Sequence, residues 1–101
     1  MNIINAIAKV RFGSARPQCI QLQKSEGLTV ELLCMEAVQK ITVNSGQWSY
    51  YVVTGTATLE SGGQKNELTA GQLAVSDPTE AHCIANAGEG RLVALATGRP
   101  D

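Results

Sequence analysis

Apolar residues along the chain come in short runs separated by glycine, at Gly13, Gly27, Gly46, Gly55, Gly62, Gly63, Gly71, Gly88 and Gly90. The runs are rich in Val, Ile, Leu, Thr and Tyr, whose branched or flat side chains suit a pleated surface. Short runs of this kind between turn residues predict an all-β sandwich or barrel. Strands are expected over 18–24, 28–36, 39–43, 49–54, 57–61, 64–68, 73–75, 81–86 and 91–97. In Ala57-Thr58-Leu59-Glu60 one parity is apolar and the other polar, and Gly62-Gly63 then supplies a two-residue turn that accepts positive φ, so a hairpin is predicted here. Helical spacing is confined to the N-terminal segment, where Ile3, Ile4 and Ile7 recur and Ala8 extends the face, and a short helix is expected there.

A length of 101 residues allows one buried core and not two. No internal repeat or linker divides the chain, so it is taken as a single domain over 1–101, with an N-terminal extension at 1–17, a core barrel over 28–97 and a frayed tail at 98–101. Hydrophobic residues at 44% against 17% charged exclude a disordered or fibrous chain. Eight basic residues scattered among nine acidic ones give a net charge of −1, which argues against nucleic acid or an anionic membrane surface as a partner. The stretch from Met1 to Phe12 is interrupted by Asn2 and Asn5 and has neither a preceding basic cluster nor a following small-residue cleavage pattern, so a signal peptide is not expected. With no apolar run long enough to cross a bilayer, the expectation is a soluble, cytoplasmic protein.

Cys19, Cys34 and Cys83 cannot all pair within one chain and form no C-x-x-C motif. They are taken as reduced thiols behaving as small hydrophobes on strands. Cys83 adjoins His82 and should face the opposite side of its strand, and Cys34 has no activating cation nearby in sequence.

The segment from Leu68 to Asn86 resembles the second motif of the cupin family, in which a glycine turn is followed by proline, histidine and, four positions on, asparagine. Gly71, Pro78, His82 and Asn86 fill those places, with one extra residue between glycine and proline. Upstream, Tyr50-Tyr51-Val52-Val53-Thr54-Gly55 is similar to the end of the first cupin motif. Counting back from Gly55 puts Trp48 at that motif's glutamate. With the gap before it shortened, Gly46 and Asn44 fall at its two histidines and Val38 at its first glycine. The resemblance covers roughly 28–97. It implies a double-stranded antiparallel β-barrel of the cupin or jelly-roll type, commonly paired as a homodimer, with the N-terminal segment a candidate for exchange across the contact.

Three of the four metal-ligand places that the resemblance implies are thus changed. A first-row metal in such a site needs several imidazole or carboxylate donors at about 2 Å. This chain has a single histidine. Asn44 offers a neutral carbonyl oxygen, Gly46 no side chain, and the Trp48 indole only donates. No metal and no other cofactor is expected.

If parity follows the family pattern, Trp48, Tyr50 and Val52 face the barrel interior from one strand, and His82 and Ile84 from another. A mostly apolar lining with a few polar groups is the usual make-up of a small-molecule pocket. Asn44, Trp48, Tyr50 and His82 are the candidate ligand-binding residues, and His82 is also the candidate catalytic residue, as a general acid or base. The alternative for His82 is a hydrogen-bonded group inside a barrel without chemistry. For Trp48 and Tyr50 it is core filling in the space a metal would take. Glu80 is a possible carboxylate partner of His82 at the mouth or a solvated loop side chain. Asp77-Pro78 is expected to be a turn, and Asn86 to bond local backbone at a strand end.

Two classes of function stay open on the sequence. One is metal-independent binding of a small organic molecule, sugar- or carboxylate-like, between Trp48, Tyr50 and His82. The other is an isomerase- or lyase-type enzyme in which His82 moves a proton while Tyr50 or Asn44 stabilises charge on oxygen. A metal-dependent enzyme is a third, set apart by the missing donors.

Overall fold

In the computed structural model, which describes residues 1–99, each run assigned to a strand forms one. The strands are β1 (Gln18–Ser25), β2 (Leu28–Met35), β3 (Lys40–Val43), β4 (Gln47–Thr54), β5 (Thr56–Ser61), β6 (Gln64–Thr69), β7 (Leu73–Val75), β8 (His82–Asn86) and β9 (Leu92–Arg99). The last strand is longer than expected. Gly98 pairs with Thr29 and Trp48, and Arg99 with Gln47, so these two residues belong to the sheet and not to a tail. The rest of the expected tail, 100–101, lies outside the described residues.

The N-terminal helix shrinks to one 3₁₀ turn, Ile7–Lys9, with no side-chain cap and no buried residue. So short a segment cannot repay the cost of nucleating an α-helix. No helix among the described residues is long and apolar enough to cross a membrane.

The strands form two antiparallel sheets, β1-β2-β9-β4-β7 and β3-β8-β5-β6, that close on one another as an all-β double-stranded barrel. Their pleat sorts the side chains. On β2, Leu33 and Met35 face the interior with Trp48, Tyr50 and Val52 of β4, Ile84 of β8, and Leu92, Ala94 and Ala96 of β9. Leu32 and Cys34 face outward and join Ile20 and Val93 in a second cluster beneath Val10 and Phe12. Removing each large apolar side chain from water contributes roughly 1.5–3 kcal/mol. Val10 and Phe12 therefore give the N-terminal segment a packing role, although its helical structure is a single 3₁₀ turn.

The predicted hairpin is present. Ser61 faces Gln64 across Gly62 and Gly63, whose φ values of 58° and 80° match the two positive-φ places of the turn. Val38 also has a positive φ, 63°, between β2 and β3. It stands where the resembled motif has its first glycine, a residue that adopts this backbone without cost.

Asn86, at the end of β8, donates Nδ2 to the Gly90 carbonyl at 2.8 Å and to the Met35 carbonyl at 3.1 Å, and its Oδ1 accepts from the Gly88 N–H at 3.0 Å. Two of these bonds are local, as expected. The third ties the four-stranded sheet to the end of β2.

Candidate functional site

The strand parity that builds the core brings Tyr50 and His82 together from opposite sheets. Tyr50 is 2% exposed and His82 5%, and the Tyr50 hydroxyl lies 2.5 Å from His82 Nε2, with the two rings meeting edge to face. Burial, reinforced by the Glu31 carboxylate and the Cys19 and Cys83 thiols, pushes the Tyr50 phenol far above its ordinary value, so it stays a neutral hydroxyl at physiological pH. His82 Nδ1 is buried without a hydrogen-bond partner. Whichever of the two groups donates in the Tyr50 bond, the second ring nitrogen is left bare.

Beside this pair a cavity of about 340 Å³ opens between β5, β6, β7 and the β7–β8 turn. Its walls are apolar at Leu59, Leu68 and Ala74 and polar at Ser61, Asn66 and Ser76, with Val75, Asp77 and Glu80 at the exposed rim. Asp77-Pro78 forms the predicted turn. The Asp77 carboxylate accepts from the Thr79 N–H at 3.0 Å and the Thr79 hydroxyl at 2.9 Å, and these bonds, the backbone one foremost, hold it below the usual carboxylate range. Glu80 lines the same cavity but makes no bond to His82. Its Oε1 lies so close over Gly62 that a Cβ there would meet it.

The remaining expected site residues are placed elsewhere. Trp48 belongs to the core and borders a separate void of about 40 Å³, together with Cys19, Glu31 and Leu33. Tyr50 borders both spaces. Asn44 is exposed in the β3–β4 connection and lines neither. Cys83 points to the outer face of β8, towards Lys40 and Glu60, as its parity required. Cys34 is buried, as expected of a core residue, whereas Cys19, also on a strand, is exposed.

Sequence reasoning missed the contributions of Ser61, Asn66 and Ser76. The signal was there for two of them: across the Gly62–Gly63 turn, Leu59 pairs with Asn66, and Ser61 shares the parity of Ala57 and Leu59. Ser76 has no such signal. Its hydroxyl accepts from the Trp48 N–H at 2.9 Å, a contact between residues far apart in the chain.

These side chains do not fit a resident transition metal. His82 Nε2 is engaged by Tyr50, Asn44 is outside the barrel, Trp48 is packed in its core, and Gly46 has no donor. Among the described residues no three His, Cys, Asp or Glu side chains converge as a metal would require.

Comparison with solved structures places the fold firmly. A crystal structure of TT1209 from Thermus thermophilus is similar with a TM-score of 0.91 at 18% identity, covering 99% of this chain and 98% of that one. A conserved protein with a double-stranded β-helix domain from Klebsiella pneumoniae gives 0.87 at 22% identity, over 99% and 90% of the two chains. An RmlC-like cupin from Desulfovibrio desulfuricans gives 0.81 at 18%, over 100% and 99%. No curated protein matches the sequence. The family model described as "Cupin domain" matches residues 39–98, a span that takes in β3 through all but the last residue of β9 and holds both halves of the Tyr50–His82 pair. The chain belongs to the cupin family.

Proposed function

We propose that the protein binds a small organic molecule, without a metal, in the cavity beside Tyr50 and His82. The observation that carries this is the cavity itself: about 340 Å³ of space that no side chain fills, floored by a buried hydroxyl and imidazole and walled by leucines. That combination of an apolar wall and few converging polar groups is what orients a small ligand. Of the two ligand classes expected from sequence, the sugar-like one is better supported. Among the described residues no lysine or arginine lines the cavity to meet a carboxylate, while Ser61, Asn66 and Ser76 suit hydroxyl groups.

The enzymatic alternative, with His82 as general acid or base, has less behind it. Its Nε2 is already bonded to Tyr50 and its Nδ1 is sealed from solvent, so a substrate would meet the Tyr50–His82 pair and not a free imidazole. A homodimer is part of the same reading. Tyr51, Val53, Leu73 and Val75 leave an apolar strip exposed on the outer side of β4 and β7, which a second copy would cover.

A thermal-shift screen of sugars, organic acids and amines against the protein and its His82→Gln variant tests the proposal. Binding that raises the Tm and perturbs the signals of the one imidazole in the chain is the expected result. The absence of any hit that perturbs His82 would sink it. Turnover of a hit by the protein, abolished in His82→Gln, would favour the enzyme instead.

A further inference from the structure

The cavity rim carries charge of one sign. Among the described residues Asp77 and Glu80 are its ionisable rim groups, and no lysine or arginine lines the space. Neither carboxylate is neutralised from within the chain: the ion pairs among the described residues are Lys65–Glu60 and Arg91–Glu36, both away from the cavity. Both Thr79 hydrogen bonds fall on Asp77 Oδ1, so Oδ2 remains available. Below the rim the lining turns apolar at Leu59, Leu68 and Ala74, and at the floor stands His82, buried and with its Nδ1 unpartnered. A concave site with an anionic mouth and low-dielectric walls concentrates cationic ligands and repels anions.

We infer that the cavity selects a small organic cation, an amine whose charged end is held at Asp77 and Glu80 and whose carbon or hydroxyl-bearing part lies along Leu59, Leu68 and Ala74 towards Tyr50. This inference rests on the binding reading above and adds the charge class of the ligand. It narrows a sugar-like ligand to an amino-bearing one and excludes a carboxylate. A charge-assisted N–H···O bond from ammonium to carboxylate supplies orientation that a neutral hydroxyl at the same place supplies less strongly.

Matched probes test it: pentylamine, 1-pentanol and pentanoate, which share a carbon chain and differ in charge, with glucosamine and glucose as a second pair. Binding is read by calorimetry and by His82 imidazole chemical shifts, for the native chain and for Asp77→Asn/Glu80→Gln. Asn at 77 keeps an oxygen for Thr79 and removes only the charge. The expected result is that each amine binds more tightly than its neutral partner, that the double variant lowers amine affinity by at least about tenfold, and that moderate salt does so in part. Circular dichroism of the double variant should match the native chain, which separates loss of charge from loss of fold. Equal or tighter binding of 1-pentanol, glucose or pentanoate with His82 shifts would overturn the charge assignment and leave the binding reading standing. Amine binding insensitive to the double variant would also overturn it. If no probe of any charge moves the His82 signals, the binding reading fails and this inference with it.

Discussion

The Tyr50 hydroxyl and His82 Nε2 lie 2.5 Å apart and join the two sheets across the interior, since Tyr50 is on β4 and His82 on β8. Tyr50→Phe removes the oxygen and leaves the imidazole buried with neither nitrogen bonded. A buried polar group stripped of its partner costs about 1–3 kcal/mol. Urea unfolding should show a loss in that range with an unchanged slope, and ligand-induced shifts of the His82 ring should shrink. A variant as stable as the native chain would mean that the bond contributes nothing net.

The same burial makes a prediction about pH. The phenol of Tyr50 keeps its proton in the folded chain at a pH where the unfolded chain releases it. The resulting stability is intact below about pH 10, the ordinary tyrosine value, and declines as the pH rises beyond it. In a Tyr51→Phe background, where Tyr50 is the one remaining tyrosine, absorbance at 295 nm should not rise around pH 10 while the protein is folded. It should rise together with unfolding at higher pH.

Val38 holds a left-handed backbone with a β-branched side chain that is 91% exposed, so the strain is not offset by packing. An L-residue in that region costs roughly 1–2 kcal/mol, of which glycine returns some by loosening the unfolded chain. Val38→Gly should stabilise the protein by about 0.5–1 kcal/mol, and Val38→Asn should do so too, because asparagine tolerates the same conformation. Destabilisation by both, measured by thermal unfolding, would contradict the strain.

Gly98 of β9 lies directly beneath the Trp48 indole, where any Cβ would overlap the ring. Overpacking of this kind typically costs about 1–3 kcal/mol. Gly98→Ala should lose that much stability and shift the emission of the single tryptophan to longer wavelength. Native-like emission and stability would show that the indole can relax aside.

Asn86 carries both amide atoms into a closed set of backbone bonds at Met35, Gly88 and Gly90. Asn86→Ala should cost about 1–3 kcal/mol, since it strands the buried Met35 carbonyl and removes two part-buried bonds besides. The loss should appear as faster amide exchange at the Met35 end of β2 as well as around residue 88. Exchange confined to the local turn would mean that the link to β2 carries little.

The strands were legible because glycine spacing and β-branched composition act locally, residue by residue. The inward parity of Trp48, Tyr50 and His82 was legible through the resemblance to the cupin pattern, since a period of two gives alternation and not which face is inner. What the sequence hid is how far each side chain reaches. Trp48 and Tyr50 share a strand and a parity, yet one is fixed in the core over Gly98 and the other borders the cavity. Asn44 looked equivalent to its neighbours only through motif counting, and its side chain is exposed in the connection between β3 and β4. The bond between Ser76 and Trp48 depends on β4 pairing with β7, a relation between distant segments that no local pattern encodes.

Every residue lining the cavity beside His82 falls within the continuous stretch from Tyr50 to His82, while β1, β2 and β9 supply the backing on which that stretch is mounted. On the binding reading proposed above, recognition is carried by one cassette of the polypeptide. Transplanting that cassette between barrels of like backbone would exchange their ligand preference in a single cut, with the strands outside it left as a reusable chassis.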